Sequence, residues 1–203
     1  MPKKDLNIAP SIVSKSQAQN RNEIIDLFRK NPLPEDEMMR NLGLFLNPAD
    51  LKKFLFINDL YVRNKGIHGV IMEFGVRWGQ NLNLFQSLRS IYEPFNYSRR
   101  IIGFDTWEGF PSVHEKDGKE RYALKGAYTV SKNYETYLHQ VLRTLEKESP
   151  LDHMQKFELV KGDASEQLKK YLKQHPETII SLAYFDFDIY EPTKKCLDLI
   201  KPH

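Results

Sequence analysis

From residue 70 onward, short apolar runs alternate with segments whose apolar residues recur at helical spacing. The apolar runs predict strands, and the segments between them predict helices. Strands that alternate regularly with helices are typical of an α/β protein with a parallel sheet. The strands are predicted at 70–74, 100–104, 157–160 and 179–185, and the helices at 80–92, 133–147, 166–173 and 193–200.

The first 65 residues carry a different pattern and predict a helical extension, residues 1–65, before an α/β domain at 66–203. Residues 1 to about 16 are polar and without a clear period, so they predict a mobile arm. A helix is predicted over 17–30, and it ends at Pro32 and Pro34 because proline interrupts a helix interior.

A second N-terminal helix has recognisable start chemistry. Asn47 is suited to the N-cap, Pro48 to the first turn, and Asp50 to the positive end of the helix dipole. Residues at helical spacing predict one mostly apolar face, which packs on the core or on another subunit of a homo-oligomer. This face comprises Leu51, Phe54, Leu55, Asn58 and Val62.

Composition narrows the class of protein. The 203 residues are 40% hydrophobic and 12% aromatic, which is typical of a globular protein. The formal charge is +3 and the basic residues are scattered, so no nucleic-acid-binding surface is predicted. No apolar run is long enough to span a membrane and the polar N-terminal residues do not form a signal peptide, so a soluble cytoplasmic protein is expected. The single cysteine, Cys196, lies in an apolar helical pattern that predicts a buried thiol.

The first predicted strand ends in an acid and leads into a glycine-rich turn. Glu73, Gly75 and Gly79 form the pattern E-x-G-x-x-x-G, in which the carboxylate accepts hydrogen bonds and the glycines admit a ligand close to the backbone. Glycine turns also follow strands for structural reasons, so the pattern alone leaves both interpretations open. Asp105, at the end of the second strand, is placed to hold ribose hydroxyls. Two acid-tipped strands in succession favour an adenosine-containing cofactor.

Residues 112–132 form a long polar loop, which is typical of a lid, a binding loop or a disordered segment. His114 in this loop either contacts substrate or is incidental. Trp78 and Trp107 either flank the cofactor or pack in the core, and Arg77 either meets a carboxylate or is solvated.

Four segments carry a resemblance to a known family: 73–79 (E-F-G-V-R-W-G), 103–111 (G-F-D-T-W-E-G-F-P), 159–164 (L-V-K-G-D-A) and 184–193 (Y-F-D-F-D-I-Y-E-P-T). In order and content they resemble the S-adenosylmethionine-dependent methyltransferases with a Rossmann-like fold, and more narrowly the macrocin O-methyltransferase family. The resemblance covers roughly 42–203. It implies a class I methyltransferase sheet with helices on both faces.

The resemblance also implies the site residues. Asp186 would lie at the reacting centre as metal ligand and general base, and Asp188 is a candidate second ligand of Mg²⁺ from its spacing alone. The acceptor would be a hydroxyl of a sugar or of a glycosylated small molecule. The residues expected to bind S-adenosylmethionine are Glu73, Gly75, Gly79, Asp105, Thr106, Asp163 and Ala164.

Elementary chemistry supports a base or a metal at this centre. A sugar hydroxyl is a poor nucleophile near neutral pH, so methyl transfer needs a nearby base or Lewis acid. Mg²⁺ prefers carboxylates and water. Asp186 and Asp188 would share one side of an extended strand, but Asp188 could instead turn away to cap the next helix. Both carboxylates could also be helix-start residues without a catalytic role.

The family pattern continues beyond His203 with a further strand that ends in two adjacent aspartates. Without that part, we expect missing C-terminal strands, an exposed sheet edge and an incomplete metal site. A truncated product, or a second chain that supplies the missing part, would explain the difference.

Two other classes of function compete with the methyltransferase. A non-catalytic cofactor-binding or scaffold protein would keep the fold but not the metal site. A nicotinamide-dependent oxidoreductase is disfavoured because G-x-G-x-x-G is absent from the turn after the first strand. The sequence does not identify the acceptor.

Overall fold

The structure is a computed structural model that describes residues 14–118 and 124–203. Most of the predicted mobile arm, residues 1–13, and part of the predicted loop, residues 119–123, lie outside the described residues. The described residues form two compact units, one that extends up to Phe56 and one that extends from Ile57 to His203. The predicted domain division after residue 65 stays a prediction. Among the described residues, no helix combines the length and apolar character needed to cross a membrane.

The N-terminal unit is helical. It contains α1 (Lys15–Arg29), α2 (Glu35–Arg40), a 3₁₀ turn (Leu42–Phe45) and the start of α3 (Pro48–Asn64). Neither α1 nor α2 contains a buried residue. The predicted Asn47 cap of α3 is confirmed, because its Oδ1 accepts the backbone N–H groups of residues 49 and 50 at 2.9 and 3.0 Å.

The other unit contains a four-stranded parallel sheet in the order β3-β2-β1-β4. Its strands lie within two residues of the predicted bounds, and helices alternate with them, so the predicted α/β fold class is confirmed. The strands are β1 (Val70–Phe74), β2 (Ile101–Asp105), β3 (Phe157–Lys161) and β4 (Ile180–Phe185). The helices after α3 are α4 (Gln80–Tyr92), α5 (Tyr134–Glu146), α6 (Ala164–Gln174) and α7 (Tyr190–Ile200).

Alternate strand residues build a core on each face of the sheet, because successive side chains of a strand point to opposite sides. Ile71 and Ile101 pack with residues of α3, α4 and α5, whereas Met72 and Ile102 pack with residues of α6 and α7. Cys196 is fully buried in the second cluster, which confirms the predicted structural thiol. Burial, with a smaller effect of the Asp163 charge, raises the pKa of this thiol to about 12.

The buried side of α3 differs from the predicted one. Ile57, Tyr61 and Asn64 are its buried residues, whereas Leu55 and Val62 of the predicted apolar face are exposed. The prediction rested mainly on apolar side chains. Here a tyrosine and an asparagine are also buried, because their polar groups have hydrogen-bond partners. Tyr61 Oη donates to a Glu93 carboxylate oxygen at 2.6 Å, and Asn64 Nδ2 donates to a serine hydroxyl at 3.1 Å.

A buried arginine connects the segments that enter the sheet. The Arg99 side chain is 1% exposed, and it donates to both Glu93 carboxylate oxygens at 3.0 and 3.2 Å. It also donates to the carbonyls of Gly69 and Ile67 at 2.7 and 2.6 Å. A fifth hydrogen bond reaches the hydroxyl of Ser181 in β4 at 2.6 Å. One guanidinium therefore joins the turns before β1 and β2 to β4.

The surroundings of the Glu93 carboxylate predict that the folded protein loses stability in acid. Burial alone would raise the pKa of Glu93, but hydrogen-bond donors outweigh burial and hold this pKa below its ordinary value. These donors are Arg99, Tyr61 and Asn96. A lowered folded-state pKa stabilises the fold above the unfolded-state pKa, and this contribution is lost as the pH falls through the folded-state pKa.

We therefore expect the stability cost of Glu93→Gln to be largest near neutral pH and to shrink as the pH falls below the ordinary pKa of glutamate and through the lower folded-state pKa. Urea denaturation of both proteins across this pH range measures the difference. Glu158→Gln is the control, because the pair that Glu158 makes with Arg100 is about one third exposed. A stability difference between Glu93→Gln and wild type that does not change with pH would contradict the prediction.

Candidate functional site

An acidic residue lies at or near the carboxyl end of each of the four parallel strands. Across the sheet, in spatial order, they are Asp163 after β3, Asp105 at the end of β2, Glu73 in β1 and Asp186 after β4. The chain order reverses at β1, because β2 and β3 lie on one side of it and β4 on the other. Ligands of open α/β sheets bind outside the carboxyl ends of the strands at this switch point. The sheet thus brings the predicted residues to one edge.

Asn81 connects two of these acids. Its Nδ2 donates to Glu73 Oε1 at 3.1 Å and to Asp186 Oδ2 at 2.8 Å. Glu73 is fully buried, whereas Asp186 is exposed. The backbone N–H of Asp186 donates to the carbonyl of Phe74 at 2.8 Å, which continues the β1–β4 pairing beyond the strands. The two predicted acids therefore form one cluster with an amide between them.

The sequence interpretation missed Asn81. It is the second residue of α4 and lies on the buried side of that helix, four residues before Phe85. An asparagine at a position whose helical spacing matches buried apolar residues was the available signal, because buried polar groups require partners.

The glycines of the first turn are required by the protein's own packing. Gly75 has φ +94°, and a Cβ there would lie 3.0 Å from the backbone carbon of Asp186. Gly79 has φ +80°, and a Cβ there would lie 2.4 Å from a methyl carbon of Leu138. The structural interpretation of this motif therefore holds. Close approach of a ligand to these glycines stays a prediction.

Asp105 organises the loop that follows β2. Its Oδ2 accepts the backbone N–H of Arg77 at 2.8 Å, and its Oδ1 accepts that of Trp107 at 2.6 Å. Burial raises the pKa of Asp105 above its ordinary value, and the backbone hydrogen bonds oppose this shift. Each carboxylate oxygen has two lone pairs, so the group retains acceptor capacity for hydroxyl donors.

The remaining predicted cofactor residues have local partners. The Thr106 hydroxyl donates to a carbonyl of its own turn at 2.8 Å. Asp163 is the N-cap of α6, and its Oδ1 accepts the N–H groups of Ser165 and Glu166 at 3.0 and 3.1 Å. Ala164 is buried. All three lie just beyond the carboxyl ends of β2 and β3, and their cofactor roles stay predictions.

The aromatic residues near the turn pack against protein groups. Trp107 is 4% exposed within the core cluster, in agreement with the packing interpretation. Trp78 meets the ring of Tyr134 edge-on at 4.8 Å. The Arg77 guanidinium lies 4.9 Å from the centre of the Tyr128 ring, an attractive cation–π distance.

The loop after β2 is attached to the start of α7. Lys116 Nζ lies 3.1 Å from the Tyr190 hydroxyl and 4.2 Å from the ring centre. The backbone N–H of Tyr190 donates to Asp117 Oδ1 at 2.5 Å, and the His114 ring lies 5.4 Å from the Tyr190 ring. These contacts join segments that leave the sheet on either side of β1.

The surroundings of Asp188 differ from those of the Glu73–Asp186 cluster. It is exposed and lines a groove of about 710 Å³ along α7. The helix-capping alternative is not realised, because α7 begins without a side-chain cap. Within residues 14–118 and 124–203, no three His, Cys, Asp or Glu side chains form a group suited to hold a metal ion.

Comparisons with solved structures identify close relatives. The chain matches a crystal structure of CalS11, a calicheamicin methyltransferase, with TM-score 0.92 and 40% sequence identity, over 95% of this chain and 75% of that one. An apo structure of CalS11, a TDP-rhamnose 3′-O-methyltransferase of calicheamicin biosynthesis, matches with TM-score 0.81 and 36% identity over the same shares. The O-methyltransferase NovP shares the fold, with TM-score 0.53 and 19% identity over 74% of this chain and 60% of NovP.

No protein-family model and no curated protein sequence matches the chain. The identity to CalS11, over nearly the whole chain and three quarters of the relative, is nevertheless sufficient to show common membership. The parallel sheet with its acid-tipped strands agrees with that assignment. The chain belongs to the family of S-adenosylmethionine-dependent sugar O-methyltransferases that includes CalS11.

Proposed function

We propose that the protein transfers a methyl group from S-adenosylmethionine to a hydroxyl of a sugar or of a glycosylated small molecule. The observation that carries the proposal is the cluster of Glu73, Asn81 and Asp186 at the switch point of the sheet. The sugar acceptor is supported by CalS11, whose substrate is TDP-rhamnose.

The cofactor would lie along the carboxyl edge of β1, β2 and β3. Glu73 would accept hydrogen bonds from the methionine or ribose part, with Gly75 and Gly79 beside it. Asp105 would hold the ribose hydroxyls, because its four lone pairs exceed the hydrogen bonds that it accepts from the backbone of Arg77, Trp107 and Val76. The adenine edge would meet Asp163 and its neighbour at the start of α6.

Asp186 would act as general base. S-adenosylmethionine supplies a methyl group on a sulfonium, and transfer to oxygen breaks the bond between sulfur and methyl and yields S-adenosylhomocysteine. The acceptor hydroxyl loses its proton as the new bond forms, and an exposed carboxylate at the end of β4 is placed to take it. Asn81 holds one oxygen of that carboxylate at 2.8 Å and so limits its rotation.

Magnesium assistance is a further part of the proposal. Mg²⁺ is commonly held by one or two carboxylates together with water and substrate oxygens, so two aspartates form a minimal donor set. Asp186 would be one ligand, and Asp188 would turn from the groove along α7 to be the other. The metal would act as a Lewis acid that favours deprotonation of the acceptor hydroxyl.

We also propose a cytoplasmic enzyme with a small-molecule acceptor, without nucleic-acid or membrane partners. A homo-oligomer is supported by exposed apolar residues of the N-terminal helices, including Leu27, Met39 and Leu55. Sedimentation equilibrium measures that association.

The first test is calorimetric titration of S-adenosylhomocysteine into the wild type and Glu73→Gln. We expect the substitution to weaken binding roughly 10- to 100-fold, because a buried carboxylate is a strong hydrogen-bond acceptor. Glu158→Gln is the matched control, since Glu158 lies in β3 and pairs with Arg100 at the surface. Equal binding by all three proteins would refute the assignment of Glu73.

An assay of methyl transfer to TDP-rhamnose distinguishes the proposed enzyme from the alternative function, a non-catalytic cofactor-binding or scaffold protein. The enzyme forms S-adenosylhomocysteine in proportion to methylated sugar, and EDTA lowers the rate if Mg²⁺ takes part. Cofactor binding without turnover on any sugar acceptor would favour the non-catalytic protein.

A further inference from the structure

The Asn81 amide uses its nitrogen in the cluster of acids but leaves its oxygen without a hydrogen-bond partner among the described residues. Asn81 is 3% exposed, and its nitrogen donates to Glu73 and Asp186. Because both neighbours are carboxylates, the nitrogen must face them and the oxygen must point elsewhere. The orientation of this amide therefore follows from its hydrogen bonds.

Asn81 Oδ1 is buried and has no hydrogen-bond partner among the described residues. Buried acceptors are nearly always paired in folded proteins, so an unpaired one requires an explanation. This oxygen belongs to the second residue of α4, at the switch point where the fold places its ligand. A hydrogen-bond donor on the ligand would satisfy it.

The charge of the surroundings favours a cationic donor. Two carboxylates accept hydrogen bonds from the Asn81 nitrogen, so the neighbourhood of the amide is acidic. The α-ammonium group of S-adenosylmethionine carries three N–H donors and one positive charge, and it complements both an amide oxygen and nearby carboxylates. A ribose hydroxyl has no such charge, and Asp105 on the neighbouring strand provides an acceptor for it.

We propose that Asn81 is a cofactor-binding residue whose Oδ1 accepts a hydrogen bond from the α-ammonium group of S-adenosylmethionine. Through its nitrogen, the same side chain positions Asp186 beside the bound cofactor. The inference rests on the proposed function, since it requires the cofactor to lie at this edge of the sheet. It assigns the recognition of the amino group to a residue outside the glycine-rich motif.

The test compares two ligands on the same variant. The ligands are S-adenosylhomocysteine and its desamino analogue, in which hydrogen replaces the α-amino group. For Asn81→Ala we expect calorimetry to show affinity for S-adenosylhomocysteine reduced roughly 10- to 100-fold, and affinity for the analogue changed less than about threefold. Ser87→Ala, at an exposed position of α4, is the control and should retain the wild-type preference between the ligands.

The ratio of the two affinities distinguishes a role of Asn81 in ligand binding from a role in the fold alone. Equal losses for both ligands would show that Asn81 acts only through the fold, and no loss for either would show that its oxygen holds water only; both results overturn the inference. If Asn81→Ala does not fold, the same two affinities are measured for Asn81→Cys, because a thiol is only a weak acceptor. Failure of the wild type to bind S-adenosylhomocysteine would instead reject the proposed cofactor site.

Discussion

Replacement of Asp186 by asparagine is expected to lower kcat by about 10²- to 10⁴-fold, the usual contribution of a general base. Asparagine keeps the size of the side chain and an oxygen that accepts the Asn81 hydrogen bond, so the cluster with Glu73 should persist. Affinity for S-adenosylhomocysteine should therefore fall much less than kcat, because the cluster persists and only one of the two carboxylates near the α-ammonium group becomes neutral. Initial rates with a sugar acceptor and calorimetry with S-adenosylhomocysteine measure the two quantities.

Asp188→Asn is the matched comparison, because both carboxylates are exposed and only two residues apart. Asp186 contacts Asn81, whereas Asp188 lines the groove along α7. If Asp186 acts as the base and Asp188 only assists a metal, the Asp188 variant loses less activity, and EDTA removes the difference from wild type. Comparable activity of wild type and Asp186→Asn would contradict the role of Asp186 as base.

Replacement of Arg99 by methionine is expected to lower the free energy of unfolding by about 3–5 kcal/mol, because it leaves a buried carboxylate without its charged partner. Arg99 and Glu93 are 1% and 11% exposed, and the guanidinium donates five hydrogen bonds. Methionine fills part of the volume but donates none of them. Urea denaturation at neutral pH measures the effect.

The neighbouring arginine provides the control. Arg100 pairs with Glu158 at 2.6 Å, but the two side chains are 36% and 35% exposed. Exposed pairs contribute about 0–1 kcal/mol, so Arg100→Met should lower the free energy of unfolding by no more than that. Equal losses in the two variants would show that burial of the Arg99 pair has no special weight in this fold.

Local patterns were sufficient for the secondary structure of the α/β part. Apolar runs predicted all four strands, and helical spacing predicted α4 with the bounds that the structure has. The cap of α3 was also predicted, because Asn47 and the residues that it caps are neighbours in sequence. Structural features that depend on residues close together in the sequence can therefore be predicted from the sequence.

The buried side of α3 was not predictable in the same way. Tyr61 and Asn64 are buried because Glu93 and Ser181 supply hydrogen-bond partners from distant parts of the chain. No local sequence pattern indicates those partners. The spacing of apolar residues therefore predicted that Leu55 and Val62 would be buried, whereas both are exposed. Long-range hydrogen bonds decided this face of the helix.

The sequence alone determined that acids end the parallel strands, and its motifs carried a resemblance to sugar O-methyltransferases that CalS11 confirms. Only the tertiary structure decided which acids meet. Glu73 and Asp186 belong to strands far apart in sequence, and they share Asn81 because β4 pairs directly with β1. Strand order depends on the packing of whole elements rather than on local pattern, and the amide that joins the two acids is therefore visible only in the folded protein.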